Sequence, residues 1–236
     1  MTGVEAKQPS GVLYLVSTPI GNLGDMTHRG LETLAKVDAV LAEDTRHSRR
    51  LLAHFGIQKP LLSYHDHNKE KVTPSIIERL AQGESLALVT DAGTPGVSDP
   101  GFYLVRAAIE RDLRITVLPG ANAILPALVL SGFPTDAFLF EGFLPRKAGE
   151  LGRKLETLGA ERRTAVFFVS PHRLVKVLGA IAAVLPEREV AVVRELTKIH
   201  EEVRRGTAAT LLDHFGARSV RGEIVLLIKG CGKGRK

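Results

Sequence analysis

At 236 residues the chain exceeds one ordinary domain, and two modest α/β domains would account for all of it. Hydrophobic residues at 44% and charged residues at 25% lie near the averages for folded proteins, which argues against disorder, collagen and coiled coil. The net charge of +6 is uneven: residues 1–118 carry 13 basic and 14 acidic side chains, residues 119–236 carry 19 and 12, so the second half either faces a polyanion or presents a solvated basic surface.

In chain order, the apolar run Val12–Ser17 reads as a buried strand ending in the turn Pro19-Ile20-Gly21-Asn22. Leu31, Leu34, Ala35 and Val37 give Thr27–Val37 helical spacing, and Asp38–Ala42 returns to strand character, making a βαβ unit. Asp44 or Thr45 caps a helix with Arg46, Arg49 and Arg50 on its polar side, stopped by Gly56. After a short strand at Leu61–Tyr64, Thr73-Pro74 reads as a cap and first turn of a helix ending at Gly83. The strand Ser85–Thr90, a loop Asp91–Gly101, a helix over Phe102–Arg111 and the strand Ile115–Leu118 complete a mostly parallel sheet. Proline and glycine at 119–120 and 126–134 mark a hinge, giving domains over 11–120 and 121–229. In the second, strands at Ala137–Phe140, Thr164–Val169, Glu189–Arg194 and Glu223–Ile228 alternate with helices near Gly149–Leu158, Pro171–Val184 and Thr207–His214. Strand signals around Val190 and Val203 permit antiparallel pairing, so this sheet is expected to be mixed. Residues 230–236 read as a flexible basic tail.

No apolar run approaches the roughly 20 residues of a membrane-spanning helix and the first ten residues do not read as a signal peptide, so the expectation is a cytoplasmic protein with no membrane partner. The lone cysteine, Cys231, excludes an intramolecular disulfide framework and a cysteine-rich zinc site.

Three glycine- and proline-rich loops, Thr18–Asp25, Asp91–Gly101 and Pro119–Ala123, each follow a strand. In open parallel sheets ligands bind at the carboxyl ends of strands, so the three should converge on one pocket, although each taken alone reads more readily as a tight turn. Neither G-x-x-x-x-G-K-[ST] nor G-x-G-x-x-G is present, which removes the main support for an ATPase or a dehydrogenase. S-adenosylmethionine suits such loops better: it lacks phosphates and needs backbone polar groups, carboxylates and an apolar adenine slot.

The segments STPIGNLGD at 17–25, AEDTR at 42–46, YHDHN at 64–68, DAGTPGVSDPG at 91–101, PGANA at 119–123 and FEGFLPRK at 140–147 together resemble the tetrapyrrole methylase superfamily, and within it the methyltransferases of small-subunit ribosomal RNA. The resemblance implies two α/β domains with S-adenosylmethionine in the interdomain cleft, a homodimer, and methyl transfer to a cytidine ribose 2′-hydroxyl in the decoding region of 16S rRNA, within the small ribosomal subunit. It places the cofactor against Pro19, Gly21 and Asn22, against Asp91, Ala92, Gly93, Thr94, Pro95, Val97 and Ser98, and against Pro119, Gly120, Ala121, Asn122 and Ala123. Phe143 and Leu144 would border the adenine.

Ribose hydroxyls are weak nucleophiles until deprotonated, which makes Glu43, Asp44, His65, Asp66 and His67 candidates for a general base or for orienting one; each alone reads equally as a cap or a surface group. On a strand, His65 and His67 would point the same way, but no third metal ligand is identifiable, so no metal is assigned. RNA phosphates would meet Arg46, Arg49 and Arg50 and a second cluster of Arg146, Lys147, Arg153, Lys154, Arg162 and Arg163, with Arg173, Arg194 and Lys198 extending it; solvated helix faces are the bland alternative. With no Trp and three Tyr, stacking is sparse and recognition by shape is favoured. Two rival readings are methylation of a small tetrapyrrole, which predicts an enclosed cavity with a nonbasic rim, and a noncatalytic RNA-binding or ribosome-assembly module, which leaves the three loops without purpose.

Overall fold

The computed structural model describes residues 11–217 and 219–232, which divide into two compact units between Asn122 and Ala123. The first unit holds five strands, β1 (Val12–Val16), β2 (Ala39–Ala42), β3 (Leu61–Ser63), β4 (Leu86–Val89) and β5 (Arg114–Leu118), in the order β3-β2-β4-β1-β5. Every pairing is parallel, with Leu13 opposite both Leu86 and Ile115, so all five strands end on the same edge. Helices α1 (His28–Lys36), α2 (Thr45–His54), α3 (Lys69–Ala81) and α4 (Gly101–Glu110) link them. Alternate strand residues supply two cores. Leu13, Leu15, Leu41, Leu86 and Leu88 pack with Leu80 and Leu104, whereas Val16, Val40, Ala42 and Val89 pack with Leu34 and Leu52. A sheet buried on both faces explains why its strands are continuously apolar.

Helix boundaries follow side-chain chemistry. Thr27 Oγ1 accepts from Gly30 N–H to open α1, and Asp44 Oδ1 accepts from Arg46 and His47 N–H to open α2. One expected boundary is corrected: Thr73 and Pro74 lie inside α3, which begins at Lys69, a full turn before them. Asn68 braces the turn ahead of the helix, accepting from His65 N–H and donating to Ser63 O, while the Thr73 hydroxyl turns inward to Lys69 O. Pro74 therefore deprives the helix of the bond to Glu70 O instead of marking its start.

The second unit opens with α5 (Ile124–Ser131). The expected interruption at 126–134 is thus also corrected, since Pro126 occupies the first turn, where an amide hydrogen has no intrahelical partner. Five strands follow, β6 (Phe138–Phe143), β7 (Thr164–Val169), β8 (Glu189–Arg194), β9 (Glu202–Thr207) and β10 (Ile224–Ile228), in the order β6-β7-β10-β8-β9. Only β6 and β7 pair in parallel; the other neighbours are antiparallel, so this sheet is mixed. Helices α6 (Ala148–Thr157), α7 (Leu174–Val184) and α8 (Ala208–Gly216) cover the face built from Ala165, Phe167, Val190, Val192 and Leu226. Helix α5 packs on β8, β9 and β10. The start of the expected tail is held in place, Cys231 N–H donating to Glu161 O at 2.7 Å; residues 233–236 lie outside the described residues. No helix among the described residues is long and apolar enough to cross a membrane.

Candidate functional site

The site is assembled where β1, β4 and β5 end side by side. Beyond β1, Thr18 and Gly93 exchange two backbone hydrogen bonds of 2.9 and 3.0 Å, forming a bridge outside any regular strand. Thr18 Oγ1 donates to Thr90 O, Ser17 Oγ donates to Leu118 O at the end of β5, and the Ser17 and Thr94 hydroxyls are 3.0 Å apart. The Thr94 hydroxyl also reaches Ala121 O at 3.4 Å. Hence the loops at 18–25, 91–101 and 119–122 are tied into one cluster by buried or half-buried hydroxyls, whose hydrogen-bonding needs the neighbouring loops meet.

Two glycines make this convergence possible. A methyl on Gly120 would lie 2.8 Å from Ser17 Cβ, so any side chain there pushes the third loop off the first. Gly93 has φ +86°, and a methyl on it would touch Ile20, Ala121 and Asn122, one loop on each side. The result is a surface lined by backbone on which a ligand can lie close to the main chain. Pro19, Gly21, Asn22, Ala92, Thr94, Pro95, Val97, Ser98 and Pro119 belong to the same three loops. Ser98 holds φ 64°, an uncommon conformation for a residue with a side chain. Ala123 caps α5, and Phe143 and Leu144 also belong to the second unit. Phe143 is exposed, whereas the Leu144 side chain is buried in that unit's core.

Beside the cluster, Glu43, Tyr64, Thr90, Pro95 and Asp99 line a narrow pocket with Leu88, Val89, Pro100 and Gly101. The acidic candidates separate here. Asp44 is engaged as the α2 cap, and the Arg46 amide holds its carboxyl below the usual range. Asp66 pairs with Lys69 at 2.8 Å. Glu43 accepts a long bond from the Thr90 hydroxyl, 3.3 Å, and burial, reinforced by the charge of Asp91, pushes its carboxyl above the ordinary value. Asp91 Oδ1 itself accepts from Asp44 N–H, joining the ends of β2 and β4.

His65, Asp66 and His67 occupy the turn between β3 and α3, so the alternation of a strand does not govern them. The two imidazole rings meet edge to face with centroids 6.0 Å apart, and among the described residues no three His, Cys, Asp or Glu side chains are grouped to hold a metal ion. Arg46, Arg49, Arg50, Arg146, Lys147, Arg153 and Arg162 are exposed. Several other basic candidates are committed within the second unit, each beside an acceptor its fold supplies. Lys154 pairs with Glu141, Arg163 with Glu161, Arg194 with Glu202, Lys198 with Glu195 and Glu223, and Arg173 donates to the carbonyls of Leu144 and Pro145.

The sequence marks Asp99 as one polar anchor of the second loop, alongside Asp91, Thr94 and Ser98, without assigning it to catalysis or the cofactor. Its Oδ1 accepts from the amides of Gly96 and Gly101 at 2.8 and 2.7 Å, bracing the second loop, while Oδ2 is buried without a partner. The D-P-G triplet before a helix was the available signal. Burial raises the Asp99 carboxyl above its ordinary 3.8. Its contribution to stability is therefore complete below pH 3.8 and is lost as pH rises through the higher folded-state value. Asp99→Asn keeps the Oδ1 acceptor, so the urea midpoint of the variant should gain on that of the parent as pH rises across this interval; a constant offset would show that Asp99 does not titrate there.

The sequence profile described as Tetrapyrrole (Corrin/Porphyrin) Methylases matches residues 12–212. A protein of Mesorhizobium japonicum named ribosomal RNA small subunit methyltransferase I is 50% identical over 96% of this chain and 78% of its own length. One of the same name from Synechocystis sp. is 48% identical over 93% and 79%. Among solved structures, uroporphyrin-III C-methyl transferase from Thermus thermophilus complexed with S-adenyl homocysteine aligns with a TM-score of 0.63 at 17% identity, covering 93% of this chain and 97% of that one. The chain belongs to the tetrapyrrole methylase family, and its relatives there at 43–50% identity carry the name ribosomal RNA small subunit methyltransferase I.

Proposed function

We propose that the chain methylates a cytidine ribose 2′-hydroxyl in the decoding region of 16S rRNA, using S-adenosylmethionine and acting on the small ribosomal subunit. The observation that carries this reading is the backbone-lined surface around Gly93 set beside an elevated carboxylate, Glu43, with Thr90 bonded to both sides. The names of the relatives support the RNA, and the structural relative described with S-adenyl homocysteine supports the donor. The basic excess of residues 119–236 fits a polyanionic acceptor better than a small tetrapyrrole. The reading includes a homodimer, which the exposed Phe102 and Ile109 of α4 favour and sedimentation velocity measures.

When bound, S-adenosylmethionine supplies an electrophilic methyl group on a sulfonium sulfur. The segments Pro19–Asn22, Asp91–Ser98 and Pro119–Asn122 hold and orient it, which is where positioning lowers the barrier. Glu43 would take the proton of the 2′-hydroxyl as that oxygen accepts the methyl group, the donor leaving as its neutral thioether; a carboxylate partly withdrawn from water is a stronger base than an exposed one.

Mass-spectrometric mapping of ribose methylation after incubation with small subunits should show one new 2′-O-methylcytidine, and a blank map overturns the proposal. Glu43→Gln should lower the single-turnover rate by about 10²–10⁴-fold while leaving donor affinity unchanged. The parent rate should fall as pH drops through a value above 4.5, and this limb should vanish in the variant. Gly93→Val should abolish calorimetric donor binding in a protein with unaltered circular dichroism; intact affinity would remove that glycine from the donor site.

A further inference from the structure

The second unit carries an aromatic surface that stands partly open to solvent. In β6 the register with β7 runs Phe138–Thr164, Leu139–Ala165, Phe140–Val166 and then jumps to Phe143–Phe168, so the stretch from 140 to 143 contains one residue more than its partner. Gly142, at φ +63°, absorbs the extra residue. Without this bulge, Phe140 and Phe143 would point to opposite faces of the sheet. With it, both rings pack on Phe168, with centroids 5.1 and 5.5 Å away. The segment that follows is fixed as well, because Arg173 donates to the carbonyls of Leu144 and Pro145 and the Leu144 side chain is anchored in the core. Phe143 is thereby held at 63% exposure by a bulge, a buried neighbour and a guanidinium clamp.

Such a ring leaves most of its surface to solvent, and its surroundings indicate its ligand. Arg146, Lys147 and Arg153 follow it within ten residues and are exposed, while Glu141, the carboxylate nearest in sequence, is neutralised by Lys154 at 2.7 Å. Lys147 also pairs with Glu150 at 3.3 Å, so the exposed guanidiniums of Arg146 and Arg153 are the cations nearest in sequence for a phosphate; a fixed π-face followed by such cations is the arrangement that single-stranded nucleic acid uses, base on ring and phosphate on cation. We propose that Phe143, backed by Phe140 and Phe168, stacks an unpaired base of the RNA substrate. This assignment rests on the rRNA reading above and adds to it the element that grips a single-stranded nucleotide.

The chain has no tryptophan, so Phe143→Trp creates a single-tryptophan reporter in the full-length protein. A short single-stranded RNA should quench its fluorescence, and the variant should bind that RNA like the parent. Phe143→Ala should weaken RNA binding by roughly tenfold, as expected for one lost base stack, with the donor dissociation constant unchanged. Equal RNA affinity in parent and Phe143→Ala overturns the assignment. So does quenching by S-adenosylmethionine alone with weakened donor binding in Phe143→Ala, which would give the ring to the donor's adenine. In both of those cases the parent still methylates small subunits; a parent that neither binds RNA nor methylates them refutes the underlying reading instead.

Discussion

Two backbone hydrogen bonds between Thr18 and Gly93 hold the first unit's chemistry together. They join loops separated by more than seventy residues, at a point where no sheet register enforces the contact. The strand order prepares them, since β1 lies between β4 and β5 and their carboxyl ends are therefore neighbours. The hydroxyls of Ser17, Thr18 and Thr94 then direct their hydrogen bonds between loops. Each bond satisfies a polar group that would otherwise be costly to shield from water, so the geometry of the cluster and the stability of the fold share the same contacts.

Around this cluster, acidic side chains of one chemical type have been given different properties. Asp44 is stabilised as an anion by amide hydrogens, whereas Glu43 and Asp99 are pushed toward their neutral forms by burial, and Asp66 is paired with Lys69. A carboxylate that resists ionisation is the one with a use for a proton. The second unit distributes its charge differently: Lys147, Lys154, Arg163, Arg173, Arg194 and Lys198 are engaged by carboxylates or carbonyls, whereas Arg146, Arg153 and Arg162 stand exposed at its surface.

Much of the fold was legible in the sequence because both sheets bury their central strands, and continuous apolar runs as short as Ser85–Thr90 and Thr164–Val169, bounded by turn residues, fit a buried strand better than a helix. Asp44 announced its helix by capping chemistry. The errors came from proline. Thr73-Pro74 imitates a helix start, and only the hydrogen bonds of Asn68 reveal that the turn lies earlier; Pro126 was read as a breaker although it sits where helices tolerate it. At the site, composition marked the three loops, but which carboxylate stays unpaired depends on contacts such as Lys69 with Asp66 that the one-dimensional pattern does not rank. The bulge at Gly142 was equally hidden, since a register shift becomes visible only against the partner strand.

The strand order also bears on how the molecule comes into being. Strand β1 has no sheet partner before Leu86; its partners are Leu86–Val89 and Arg114–Leu118. During N-to-C synthesis it must wait, apolar and unpaired, while β2 and β3 form a ribbon without it. Completion of the sheet then requires β4 to pair with both β2 and β1, a non-local event of the kind that slows folding. Until that pairing, Val12–Val16 is the stretch a ribosome-associated chaperone would be best employed to shield.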